Sequence, residues 1–152
     1  YAKPRAIIYW EYTADYPLLK SKKTDTDSGT ILLTTRRFAI VKHFSNLTPP
    51  AARALATRSD HPDVLFTAFV GRAKNGARVY TMHISNSGNT KKKVRIRDIP
   101  KAIPTFQQVR TDQHDSFRTL APVHVEDASV FLTLPPTSIV TLTTLRKDEL
   151  PK

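Results

Sequence analysis

The chemically able residues of this sequence are few and scattered. Its glutamates are Glu11, Glu126 and Glu149. Acid–base work by paired carboxyls needs two of them in one place, and no two of these share a context that would bring them together. The five histidines, His43, His61, His83, His114 and His124, show no metal-ligand spacing. His43 falls within a helical pattern and is expected to make a packing or hydrogen-bond contact. The stretch DTDSG, Asp25 to Gly29, has two acids and a glycine but lacks the later glutamate of a calcium loop, so it reads as a solvated turn. No nucleophile elbow, phosphate loop or zinc-helix motif is present, and no cofactor is implied. Asn46-Leu47-Thr48 is a glycosylation sequon, meaningful in a secreted eukaryotic protein. The KDEL of Lys147 to Leu150 is followed by Pro151 and Lys152, so it does not form a terminal retention signal.

Charge is the strongest bulk signal. Twenty-four Lys and Arg against thirteen Asp and Glu give a net charge of +11 over 152 residues. A surface of that sign attracts polyanions over a range set by salt. The cations are spread along the chain, and the runs at Lys20 to Lys23 and Lys91 to Lys93 lack neighbouring aromatics on which bases could stack. Nucleic acid is therefore not the favoured partner, and a solvated basic surface is. The sequence contains no cysteine, which removes disulfides and thiolate metal sites and leaves the redox compartment open. No apolar run is long enough to span a bilayer. The sequence opens on Tyr1 without a methionine, as a processed or excised piece would.

Two periodicities organise the elements that must position these residues. In RRFAIVKHFSNLTPP, Arg36 to Pro50, the apolar Phe38, Ile40, Val41, Phe44 and Leu47 recur at helical spacing on one broad, core-facing side. Thr34 or Thr35 can cap its start, and Pro49 and Pro50 stop it. From Arg53 onward the period is two. Val94 and Ile96 alternate with Lys93, Arg95 and Arg97; Val130, Leu132 and Leu134 alternate with Phe131 and Thr133; Val140 and Leu142 alternate with threonines. VLFTAFV, Val64 to Val70, is apolar on both faces, as a mid-sandwich strand would be. AKNGA around Gly76, SNSGNT around Gly88 and the Pro135-Pro136 pair supply hairpin signals. About eight strands follow between Arg53 and Arg146, at the spacing of an antiparallel β-sandwich.

The first fifty residues belong to another scheme. RAIIYW, Arg5 to Trp10, reads as a strand buried on both sides; a long polar loop, a short ILL segment and the helix then complete one βα unit. A single βα unit cannot be a domain.

A YW-containing strand, a helix of the form RRFAIVKHFSNLTPPAAR and a closing segment FLTLPPTSIVTL together resemble the C-terminal part of glycoside hydrolase family 30. The resemblance implies that residues 1–50 are the last strand and helix of a (β/α)8 barrel, that 51–146 are the β-sandwich fused to it, and that 147–152 are a tail. It implies a retaining mechanism on β-linked glycans or glycosides, run by two glutamates at the ends of the fourth and seventh barrel strands. Both would lie upstream of Tyr1, so no catalytic role falls on this chain. Trp10 and Glu11 would stand at the C-terminal end of the eighth barrel strand, where such active sites assemble. There Trp10 could stack on a sugar and Glu11 bond a hydroxyl; the plainer reading is a buried aromatic and a loop charge.

Two readings result. One is the last barrel unit and sandwich of a glycoside hydrolase, structural and inactive alone, meeting its carbohydrate through the rest of the barrel and secreted. The other is a free-standing basic β-sandwich that binds a polyanion, either acidic polysaccharide or nucleic acid.

Overall fold

The computed structural model describes residues 18–23 and 30–150. Trp10, Glu11, the strand expected at Arg5 to Trp10 and the turn at Asp25 to Gly29 lie outside the described residues. The described fold is mainly β. Ten strands and one 12-residue helix follow in the order β1 (Leu19–Lys23), β2 (Thr30–Thr34), α1 (Arg36–Leu47), β3 (Arg53–Ala54), β4 (Val64–Arg72), β5 (Arg78–Asn86), β6 (Lys92–Ile96), β7 (Thr105–Thr111), β8 (Arg118–His124), β9 (Val130–Leu134) and β10 (Ser138–Thr143). A 3-10 turn at Lys147–Glu149 ends it.

Strands β3 to β10 form a sandwich of unequal sheets. Six strands lie in the order β3-β4-β5-β10-β7-β8, and β6 pairs with β9 as a separate ribbon. All pairings are antiparallel. The inner face of the large sheet presents Val64, Ala68, Met82, Ile84, Phe106, Val140 and Leu142 to Ile96, Val130, Leu132 and Leu134 of the ribbon, with Ile99 and Ile103 closing one end. Burying one such side chain is worth roughly 1.5–3 kcal/mol, which fixes the register of every strand that contributes to this layer. VLFTAFV sits in β4, but Leu65 on its other face is exposed, so the strand is buried on one side along part of its length.

Of the three hairpin signals, AKNGA closes one. It joins β4 to β5, with Gly76 at φ 82 and the Asn75 side chain accepting from the Ala77 amide. The Gly88 and Pro135-Pro136 turns instead carry the chain across from one sheet to the other. β5 pairs with β10 in the large sheet and β6 pairs with β9 in the ribbon, so the two crossings run side by side. The buried Asn86 amide ties them together, donating to the carbonyls of Thr90 and Pro135 at 2.8 Å each while its oxygen accepts from the Gly88 amide. Turn chemistry fixes where a chain reverses; which sheet it joins next is set by long-range pairing, here of β5 with β10 and of β6 with β9.

The segment expected as a polar loop before the ILL stretch is in part a strand. β1 and β2 pair from Leu19↔Thr34 to Lys23↔Thr30. The ribbon has no described layer over Ile31, Leu32 and Leu33, which are 50%, 56% and 47% exposed. At the other end of the sandwich, Arg110 pairs with Asp112 and Asp115, and Arg118 with Asp115, pinning the β7–β8 turn. For Asp112, partial burial opposes its charge but amide bonds from Asp115 and His114 and the Arg110 charge outweigh it, so its pKa is lowered. Hydrogen bonds from Arg110 and Arg118 lower that of Asp115.

Gly71 marks where the chain leaving α1 crosses β4. A Cβ there would stand 2.8 Å from Cβ of Pro49 and 3.1 Å from that of Ala52. Ala51 in the same turn already holds φ 55, a left-handed conformation that a side chain disfavours. The turn therefore has little room to retreat. Gly71→Ala is expected to lower stability by about 1–3 kcal/mol, as overpacking does; an unchanged urea midpoint would show that the turn can shift instead.

Candidate functional site

The described glutamates form no pair. Glu126 sits exposed in the turn before β9, and Glu149 accepts from the Arg146 amide in the terminal 3-10 turn. Asn46 is exposed on the last turn of α1, while the Thr48 hydroxyl of its sequon is engaged elsewhere, against His83. Among the described residues no three His, Asp or Glu side chains gather as a metal site, and no helix is long and apolar enough to cross a membrane, which says nothing of a β-barrel.

What the fold does assemble is a polar seam between α1 and the outer face of the large sheet. Thr35 caps the helix by accepting from the Phe38 amide, and Thr48 ends it at ψ 120, before the two prolines. The buried stripe of the helix is Ala39, His43 and Leu47, not the broad apolar side expected from Phe38, Ile40, Val41, Phe44 and Leu47; Ile40 is exposed. The reason lies in the sheet. Its outer face offers Thr81, His83, Thr111, Thr141 and Thr143, and the helix residue that fits a polar floor is His43.

The seam is one connected chain of hydrogen bonds. Nδ1 of His43 lies 2.7 Å from Oγ1 of Thr141, and its Nε2 lies 2.9 Å from Oγ1 of Thr111. Nδ1 of His83 lies 2.8 Å from the same Thr141 hydroxyl, and its Nε2 lies 2.8 Å from that of Thr48. Thr81 donates to the Leu47 carbonyl at the helix end. Phe117 donates its amide to Thr111 and sets its ring edge-on to His43, while Phe44 stacks on His83. Burial pushes the His43 pKa down to about 4. Burial, with the neighbouring His43, pushes that of His83 down to about 3. Both rings are neutral at pH 7, and a neutral imidazole has one donor and one acceptor, as this chain needs. The seam positions the helix and leaves no room for a substrate.

The second assembly lies on the opposite surface. With Val94 and Ile96 turned inward, Lys93 and Arg95 of β6 point to solvent, flanked by exposed Lys91 and Arg97. Across the ribbon, Lys93 faces Thr133 and Arg95 faces Phe131, a residue 57% exposed. The Arg95 guanidinium lies 5.4 Å from the Phe131 centroid and donates from Nε and a terminal nitrogen to Oγ of Ser129, at 3.1 Å each. The basic run was expected to lack an aromatic neighbour. The structure sets Phe131 of β9 against Arg95, just beyond that run, through a strand pairing that sequence spacing does not reveal.

An antiparallel β-sandwich bearing one helix on the outer face of its larger sheet defines the structural class. In solved structures the same fold occurs in a glycoside hydrolase family 30 endoxylanase from Clostridium papyrosolvens C71, at TM-score 0.64 and 18% identity, covering 72% of this chain and 28% of that one. It occurs also in the catalytic domain of family 30 xylanase C from Talaromyces cellulolyticus, at TM-score 0.63 and 17% identity, covering 86% of this chain and 27% of that one. A conserved exported protein from Bacteroides fragilis matches at TM-score 0.65 and 10% identity, covering 84% of this chain and 27% of that one. The resemblance carried by RRFAIVKHFSNLTPP and LPPTSIVTL thus extends to the fold. The chain spans a little over a quarter of the length of these structures. No protein-family model matches the sequence, and no curated protein matches it.

Proposed function

We propose that this chain is the C-terminal β-sandwich region of a retaining glycoside hydrolase acting on β-linked glycans, joined to the last strand and helix of its (β/α)8 barrel, and that it supports the barrel without doing the chemistry. The observation that carries the reading is the match of 72% of the chain to 28% of a family 30 endoxylanase. The exposed apolar residues of β2 and Ile40 of α1 are in keeping with it, because elements that belong to a barrel would be covered by barrel neighbours. Domain limits follow at 1–50 for the barrel remnant, 51–146 for the sandwich and 147–152 for the tail. Xylan is the first substrate to try, since two of the matched structures are xylanases, and a secreted location suits a polymeric substrate. In this reading Trp10 and Glu11 face the glycan at the barrel mouth.

The test is hydrolysis. The 152-residue chain is expected to release no chromophore from aryl β-xylosides or other aryl β-glycosides above the blank, whereas the chain extended upstream by a complete barrel is expected to be active. Turnover by the short chain that Glu11→Gln abolishes would overturn the reading and make Glu11 catalytic.

A further inference from the structure

We infer that the outer face of the β6–β9 ribbon is a binding site for an acidic polysaccharide, one carrying carboxylates along an extended chain. This goes beyond the supporting role above and does not depend on it. The face is arranged as two parallel rows. Lys91, Lys93, Arg95 and Arg97 form a row of cations two residues apart, a spacing of about 7 Å along a strand. Phe131 and Thr133 form a neutral row beside it. No acidic residue lies in either strand. The side chains of Lys91, Lys93 and Arg97 have no hydrogen-bond or ion-pair partner among the described residues, whereas that of Lys92, on the other side of the strand, is paired with Asp63. Charges left unneutralised in a line are complementary to a linear polyanion, and a fixed guanidinium takes carboxylate in a two-bond fork. Arg95 is fixed: Ser129 and the Phe131 ring hold its plane.

The neutral row decides which polyanion. Strands that grip single-stranded nucleic acid present several aromatic rings, so that successive bases stack. Here Phe131 is the one aromatic residue of the two strands, and Arg95 shares its surface. One ring with a threonine hydroxyl beside it suits the apolar face and the hydroxyls of a sugar whose neighbours carry the charge. The location also leaves the face open. The layers run α1, large sheet, ribbon, solvent, so a barrel joined through α1 would lie on the far side of the molecule.

The chain at +11 will bind polyanions weakly at low salt whatever its purpose, so the test must separate a site from bulk charge. Polygalacturonate, neutral xylan and oligo-dT would be titrated at about 0.15 M salt with the 152-residue chain and three variants, each checked for an unchanged melting profile. The first removes Lys93, Arg95 and Arg97 together by alanine; the second removes Arg53, Lys74 and Lys147, equal in charge but elsewhere; the third is Phe131→Ala, which leaves charge untouched. Polygalacturonate is expected to bind best, with the ribbon triple and Phe131→Ala each weakening it about tenfold, the loss of roughly 1.4 kcal/mol, and the distant triple changing it little. Equal losses from the two triples would reduce the effect to bulk charge and overturn the inference. So would unaffected binding in Phe131→Ala, or tighter binding of oligo-dT than of polygalacturonate.

Discussion

Between pH 7 and pH 4 the protein is expected to lose at least about 3 kcal/mol of stability through the histidines of the helix seam. His43 titrates at about 4 in the folded protein against an ordinary 6.5. In the interval between, the unfolded chain binds a proton that the folded one refuses, so acid favours unfolding. The contribution is fully present above about pH 6.5 and is lost as pH falls toward the folded value, at roughly 1.4 kcal/mol per pKa unit. His83, lowered to about 3, adds in the same direction. The carboxylates of Asp112 and Asp115 are lowered from 3.8, so their loss starts only as pH approaches that value and continues below it, mostly under the histidine range. The hydrogen bonds explain why two protons are worse than one. With one histidine charged, Thr141 can accept from it and donate to the other ring. With both charged, Thr141 receives two donors, its own proton has no acceptor, and two like charges face each other across one hydroxyl. Melting curves from pH 7.5 to 4.5 provide the measurement. His83→Gln, which can still bond Thr48 and Thr141 but cannot titrate, is expected to cost stability at pH 7 and to flatten the slope. A wild-type profile that stays level down to pH 4.5 would mean that the rings are not held neutral.

The sequence made the sandwich legible because its signals are local. Alternation in Lys93 to Arg97 and Val130 to Leu134 placed β6 and β9, and AKNGA placed the β4–β5 turn. The helix limits followed from Thr35 and the two prolines in the same way. What escaped was set by partners distant in the chain. The apolar residues of α1 suggested a broad core-facing side, yet its buried stripe centres on His43, because residues 111 and 141 present hydroxyls beneath it. A histidine inside an amphipathic helix was visible; that two strands remote in sequence would each bring a threonine to it was not. Phe131 and Arg95 likewise lie too far apart for any motif to join them, and only the β6–β9 register sets one over the other. The strand expected at Arg5 to Trp10, and Glu11 after it, lie outside the described residues, so the barrel reading rests on resemblance and on the fold of the remainder.

Thr141→Val is expected to destabilise the protein by about 2–6 kcal/mol, although it keeps the shape of the residue and improves β-propensity. The reason is that one hydroxyl serves two buried rings. Nδ1 of His43 at 2.7 Å and Nδ1 of His83 at 2.8 Å both depend on it, and the wholly buried site admits no obvious substitute. Each ring nitrogen left unsatisfied costs roughly 1–3 kcal/mol, because it gave up water on folding and receives nothing in return. Thr141→Ser isolates the cause. Serine keeps the hydroxyl and removes a methyl group, a loss of about 1 kcal/mol from burial. Valine should therefore be much the worse of the two in urea unfolding at pH 7. If valine proved equal to wild type, or serine the more damaging, the seam would be held by packing of Ala39, Phe44 and Leu47 alone and its hydrogen bonds would be incidental. The two substitutions should also differ in acid. With serine the shared hydroxyl still links the rings, so a proton on His43 continues to disfavour one on His83; with valine that link is gone, and each ring meets acid without the hydroxyl that the other had oriented.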